Sequence, residues 1–230
     1  MKTYDGGVRA LDLEVDEGRS SDSTPYGWWP RTLRSLFDGS WWEPYLLAVT
    51  LTVVGGIFVA PVSGWVLSGA GATAPTSLKA LIWVAVAAAP LTVAARALGV
   101  AVVMWAFLVL LGEAPKGKKL FAVALAGEVV IALAGLAVGV LLFLRGPGAV
   151  SSPADLHITM GLDALAPAGS LLQKVLMQSG SVFHLGWIAV LALGLIYGAG
   201  VARSKAWITS ALLWMVLLAV TVVRITYVGA

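Results

Sequence analysis

Apolar residues in this chain run in blocks rather than alternating with polar ones. Residues 44–67, 80–111, 120–144, 183–201 and 206–228 carry almost no charge. Each block is close to or above the ~20 residues that a helix needs to cross hydrocarbon. Polar or turn-forming stretches separate them: small residues at 68–77, GEAPKGKK at 112–119, a Pro-containing loop at 145–180, and Ala202-Arg203-Ser204-Lys205. The pattern predicts an all-α, polytopic helical membrane protein with about five transmembrane helices, its N-terminus cytoplasmic and its C-terminus outside.

The second block needs interpretation. Counted from Leu78 it would reach roughly 50 Å as one helix, and it contains Pro90. Two crossings would leave halves too short to span. One long helix, kinked at Pro90 and interfacial in its first part, is therefore expected, with a re-entrant first half as the alternative. Within the 145–180 loop, residues 171–177 suit a short amphipathic helix. The last two blocks are joined by a turn that permits only an antiparallel hairpin.

The flanks fit this organisation. Residues 1–27 form a polar cytoplasmic tail in which Val8 to Val15 alternate apolar and polar, either disordered or laid as a strand on a partner. Residues 28–43 are rich in Trp and Arg, and Trp28, Trp29, Trp41 and Trp42 are the expected interfacial anchors. Residues 44–230 form the membrane domain. No apolar signal core precedes the first span, which is expected to act as its own targeting signal.

Composition agrees. The 230 residues are 59% hydrophobic and 12% charged, against about 25% charged in a soluble domain. The absence of cysteine excludes disulfides, thiolate metal sites and cysteine nucleophiles. A net charge of +3 is too small to imply a nucleic-acid partner. Its distribution is more informative. Five crossings place Arg31, Arg34, Lys116, Lys118, Lys119, Arg203 and Lys205 on one side, and Lys79, Arg145, Lys174 and Arg224 on the other. The basic clusters mark the cytoplasmic face. An Ala/Gly/Val-rich chain with pI about 9.3 suggests a GC-rich bacterium, and hence its inner (cytoplasmic) membrane.

Ionisable residues inside spans carry the candidate chemistry, because they are costly there. They are Arg96, Glu128 and His184. Glu128 lies ~13 Å below the cytoplasmic surface and Arg96 ~24 Å from it, at helical rise. The gap of ~10 Å between those depths closes only with tilt or a kink. One reading is a buried ion pair, or a proton or ion site. The other is an outward-snorkelling Arg96 with Glu128 protonated or bonded to a neighbouring helix. His184 is either an interfacial histidine bonded to water or backbone, or a single haem or pigment ligand. Asp155, His157 and Asp163 share a loop whose Pro/Gly context supplies no metal geometry. Zinc-protease, nucleophile-elbow and phosphate-loop motifs are absent, so no catalytic residue, metal or cofactor is expected. Gly135 with Gly139 and Gly194 with Gly198 are four apart, a spacing that lets helix backbones approach, within the bundle or against a partner protein.

The outline resembles the Yip1-domain family, in its bacterial form, over residues 36–228. The approach Leu36-Phe37-Asp38-Gly39-Ser40-Trp41-Trp42-Glu43-Pro44 and the basic glycine turn from Gly112 to Leu120 are similar to it. So is the C-terminal hairpin with Phe183-His184-Leu185-Gly186-Trp187, Leu193-Gly194-Leu195, Ser204-Lys205-Ala206 and Trp214. The Asp-Leu-Tyr-Gly-Pro motif of eukaryotic members is missing, which argues against a Golgi role. The resemblance implies no catalysis and an accessory part in membrane assemblies, some bacterial relatives accompanying export-type transporters. It carries no functional residue across. The expected partners are membrane lipids and other integral membrane proteins of a complex. The alternatives are a small permease or ion-coupled carrier using Arg96 and Glu128, and a pigment- or haem-binding subunit using His184.

The cysteine-free background offers a direct topology test. Lys118→Cys should react with an impermeant maleimide only in permeabilised cells, and Ser151→Cys already in intact ones. The reverse pattern would invert the orientation.

Overall fold

The computed structural model describes residues 41–67, 76–146, 161–167 and 170–227, with the side chains of 60–67, 76–79, 81 and 82 outside that description. The expected tail at 1–27, the anchors Trp28 and Trp29, the small-residue turn at 68–75 and the pair Asp155 and His157 lie outside the described residues. Those described are helical apart from connections and one isolated bridge between Gly161 and Ser181.

Among the described residues seven α-helices follow one another: α1 Trp42–Leu67, α2 Thr76–Ala87, α3 Ala89–Leu110, α4 Gly117–Arg145, α5 Leu171–Ser179, α6 Val182–Tyr197 and α7 Arg203–Tyr227. A 3-10 turn, Leu162–Leu165, precedes α5. Four of them, α1, α3, α4 and α7, are long and apolar enough to cross a membrane, and α6 is a shorter apolar helix. The protein is a polytopic helical membrane protein. Its 16-residue α6 rises only ~24 Å, short of the ~30 Å hydrocarbon thickness.

Several boundaries differ from the sequence expectation, each for a local reason. The long second block is two helices, not one, parted at Ala88. Pro90 has no N–H to donate to Val86, whereas Ala88 N still donates to Val84 O (2.9 Å) and Thr92 N to Ala88 O (3.0 Å). α2 folds back along α1, so that a Cβ on Gly56 would meet the Val86 side chain at 2.9 Å. The first and third spans start earlier than expected, at Trp42 and Gly117, because Pro44 and the Gly117-Lys118-Lys119 run fit a first turn, where N–H groups need no helical partner. The fourth ends at Tyr197 instead of 201. Gly200 adopts φ +75° and Val201 N donates to Leu195 O (2.9 Å), which closes the helix before a tight turn. The last then begins at Arg203.

α3 stops by the same physics. Gly112 takes φ +77°, and Glu113 N donates to Leu108 O at 2.8 Å, a Schellman closure followed by Pro115. The expected amphipathic segment is α5. Ser170 caps it by accepting from Gln173 N (3.0 Å), and Trp214 Nε1 of α7 donates to Ser179 O (3.0 Å).

α4 is the central helix, packed against α1, α3 and α6. Its interface with α1 is made by glycine. A Cβ on Gly139 would lie 2.9 Å from Gly55 O, and one on Gly55 would lie 3.1 Å from Leu136 N and 3.3 Å from the Gly135 carbonyl carbon. Trp41 also reaches Phe121 (centroids 6.2 Å) and Phe58 reaches Phe143 (5.4 Å), so the two helices run parallel. On α3, Val93, Ala97, Ala101, Met104 and Leu108 are buried while Leu91, Leu98, Val102 and Trp105 are exposed. Small residues inside and large apolar ones outside are what a hydrocarbon solvent selects, since backbone proximity rather than water exclusion holds helices together there. Gly194 on α6 and Gly198 at its C-cap are buried as well.

The basic turns share one end. Lys205 Nζ, after the α6–α7 turn, sits 2.9 Å from Glu113 Oε1 in the α3–α4 turn. Lys116 caps α4 at that end, Lys118 and Lys119 stand in its first turn, and Arg145 lies in its last turn at the opposite end.

Gly139→Val should lower stability by about 1–3 kcal/mol through overpacking against α1, read as a lowered midpoint in thermal unfolding of the detergent-solubilised protein. Gly99→Ala has open space at its Cβ and should stay within ±0.5 kcal/mol of the parent.

Candidate functional site: a charged cavity among four helices

Two residues expected ~10 Å apart in depth are in contact. Arg96 of α3 places Nη2 2.7 Å from Glu128 Oε2 of α4. The antiparallel α3–α4 packing brings them level. Arg96 follows Val93 by three and precedes Val100 by four, on the flank of the buried stripe, so its long side chain reaches inward while its stem stays lipid-facing. Its side chain is 52% exposed and that of Glu128 is 5% exposed. The carboxylate is therefore the buried partner, and the guanidinium joins it to the cavity.

That cavity has a volume of about 580 Å³ and lies among α3, α4, α6 and α7, with Gln178 of α5 also in its lining. Its polar lining is Arg96, Glu128, Gln178, His184 and Arg224, with the indole of Trp187. Val100, Ile131, Leu213, Val216, Leu217 and Val220 make up the rest. On α7 the lining positions 213, 216, 217, 220 and 224 recur at helical spacing, so one face of that helix forms a wall from Leu213 to Arg224.

Depth along the helices places this cavity in the slab. Glu128 lies ~17 Å along α4 from Gly117, and Arg224 lies ~32 Å along α7 from Arg203, at 1.5 Å per residue. Both helices start at the end carrying the basic turns. The cavity thus runs from mid-membrane toward the face opposite those turns.

His184 sits at the start of α6 with Nδ1 2.7 Å from Ser181 Oγ, and its backbone N donates to the same hydroxyl at 3.3 Å. Ser181 is the helix N-cap. Its hydroxyl accepts the backbone N–H and lies within hydrogen-bond distance of Nδ1. The partner of His184 is thus a side chain rather than backbone. Trp187, one turn on, is 5% exposed and its Nε1 has no acceptor in the described residues. Gly127 makes room for the indole, since a Cβ there would be 2.8 Å from Nε1.

The three intramembrane candidates, Arg96, Glu128 and His184, therefore share one cavity. Asp163 does not join them. It is buried in the 3-10 turn before α5, and no group of three or more His, Asp or Glu able to hold a metal occurs among the described residues. Two contributors were missed. Arg224 was counted only as a loop-side charge, although its spacing from Val220 and Leu217 on one helical face was a usable signal. Trp187 showed none, because nothing local reveals that an indole N–H will lack an acceptor. Compared with known proteins, the chain matches no family model, no curated protein and no solved structure.

The pair can be tested for coupling. Arg96→Met strands the Glu128 carboxyl and should lower stability by about 2 kcal/mol, less than for a fully buried pair because Arg96 is half exposed. Replacing both by Met should restore most of that loss. Equal costs that simply add in reversible unfolding would show that the two residues are not coupled.

Proposed function

We propose that this chain is a non-enzymatic protein of the bacterial cytoplasmic membrane whose work is to hold a ligand in the cavity among α3, α4, α6 and α7. What supports this reading most is the ion pair at its wall. A membrane helix bundle that needed only to pack would not place Arg96 and Glu128 in contact beside 580 Å³ of space, since replacing a buried pair by apolar residues is often neutral or stabilising. Ionisable groups at this depth instead mark binding or transfer sites. The same geometry serves a small carrier, in which Glu128 and Arg96 exchange partners as the ligand passes.

Of the four glycines expected at helix interfaces, Gly139 lies against Gly55 and Gly194 and Gly198 are buried, whereas Gly135 is exposed with open space at its Cβ. An accessory subunit of Yip1-domain type remains the second reading, favoured by a groove of about 440 Å³ lined by Leu98, Val102, Trp105, Lys118 and Phe121 beside the basic end.

Gentle extraction followed by mass spectrometry of whatever co-purifies separates these readings. A small molecule retained by the parent and lost from Val216→Trp, which fills the cavity, supports the binding role. If the parent instead carries stoichiometric membrane proteins and its small-molecule content is unchanged by Val216→Trp, the accessory reading replaces it. Solute flux in liposomes that Glu128→Gln abolishes would make the protein a carrier.

A further inference from the structure

We propose that the occupant of this cavity is an anionic membrane lipid from the leaflet opposite the basic turns, its acidic head at Arg224 and its chain along the apolar face of α7. The proposal rests on the binding role argued above and names the ligand.

Charge comes first. The cavity lining holds two guanidinium groups and one carboxylate. Glu128 is engaged by Arg96 at 2.7 Å, and Arg224 makes no ion pair among the described residues. The surplus is one positive charge in a largely apolar surrounding, which an anion offsets and a zwitterionic or neutral head does not. Arg224 offers the five N–H donors of a guanidinium, which suit the planar oxygens of a phosphate or carboxylate.

Other polar groups share the lining. Trp187 is among them, although its buried Nε1 packs over Gly127 and has no acceptor among the described residues. The His184 ring and the Gln178 amide stand at the same wall.

The remaining lining makes the ligand an amphiphile. Leu213, Val216, Leu217 and Val220 run down α7 below Arg224, and Val216 and Val220 are themselves exposed to the bilayer. A free phosphate would leave this apolar wall unused. A lipid that enters sideways covers it with its chain while its head stays near Arg224, which lies at the far end of α7, close to the interface where lipid heads reside.

The test uses the full chain in detergent, with bound lipid counted by native mass spectrometry. Dioleoyl phosphatidylglycerol should be retained about ten-fold over the zwitterionic phosphatidylcholine with the same chains. Arg224→Gln should remove most of that ten-fold preference, the loss expected for one charge-assisted hydrogen bond. Arg224→Lys should keep part of it, and Lys118→Gln, at the opposite end, should keep all of it. Unfolding of Arg224→Gln without lipid checks that it folds. Equal retention of the two lipids, or a preference that Arg224→Gln leaves intact, overturns the proposal. If inorganic phosphate displaces the lipid head at millimolar concentration and binds equally well without it, the ligand is a soluble anion, and the lipid assignment fails while the cavity reading stands. Should Val216→Trp alter neither lipid nor phosphate binding, the cavity reading fails as well.

Discussion

A carboxylate held inside a helix bundle in hydrocarbon must be neutralised or matched, and in this protein it is matched. The contact between Glu128 and Arg96 sets how far α3 can slide along α4, because one helical turn of slippage moves a side chain by ~5.4 Å. Van der Waals packing among alanines and glycines tolerates several registers. A charge pair of limited reach tolerates one. The relative height of α3 and α4 therefore follows from the pair, and the cavity beside it has its floor there.

The rest of the bundle is arranged around α4. On one side Gly139 and Gly55 allow the α1 backbone to come close, which no larger residue permits. On another, Gly127 accepts the face of Trp187 and so seats α6. α7 packs against α3 and α6 but has no substantial contact with α4. The space left where α7 stands off from α4 is the cavity. A single long helix with glycines on two faces and a carboxylate on a third thus generates both the packing and the vacancy.

Polarity is distributed with the same asymmetry. The end of the bundle formed by the α3–α4 and α6–α7 turns holds Lys116, Lys118, Lys119, Arg203 and Lys205, with Lys205 tied to Glu113. The opposite half holds Arg96, His184 and Arg224 against a single described carboxylate in the cavity lining. The first group is solvated and serves orientation. The second lines a largely apolar cavity in which Glu128 is buried while Arg96 and Arg224 are exposed. This contrast is why the binding argument is built on the cavity and not on the denser basic cluster.

How much of this could be read from the sequence follows from the range of the forces involved. The spans and the amphipathic helix from Leu171 depend on residues within one or two turns, so their signals are local and legible, whereas the second block reads as one kinked helix and folds as two, parted at Ala88. Proline's missing N–H and glycine's tolerance of positive φ act wherever they stand. The short α6 was misjudged by four residues because hydropathy continues through Ala199 and Val201 after the backbone has turned at Gly200. Arg96, Glu128 and His184 were legible as costly residues, since each lies in an apolar run. Their meeting in one cavity was not, nor was the addition of Arg224 and Trp187. Helical rise along separate helices left a gap of ~10 Å between Arg96 and Glu128, and only the packing of α3 against α4 closes it. The sequence by itself determined the solvent, the elements and the groups that had to find partners. The tertiary structure decided which partners they found, because registry between helices depends on contacts between residues far apart in the chain.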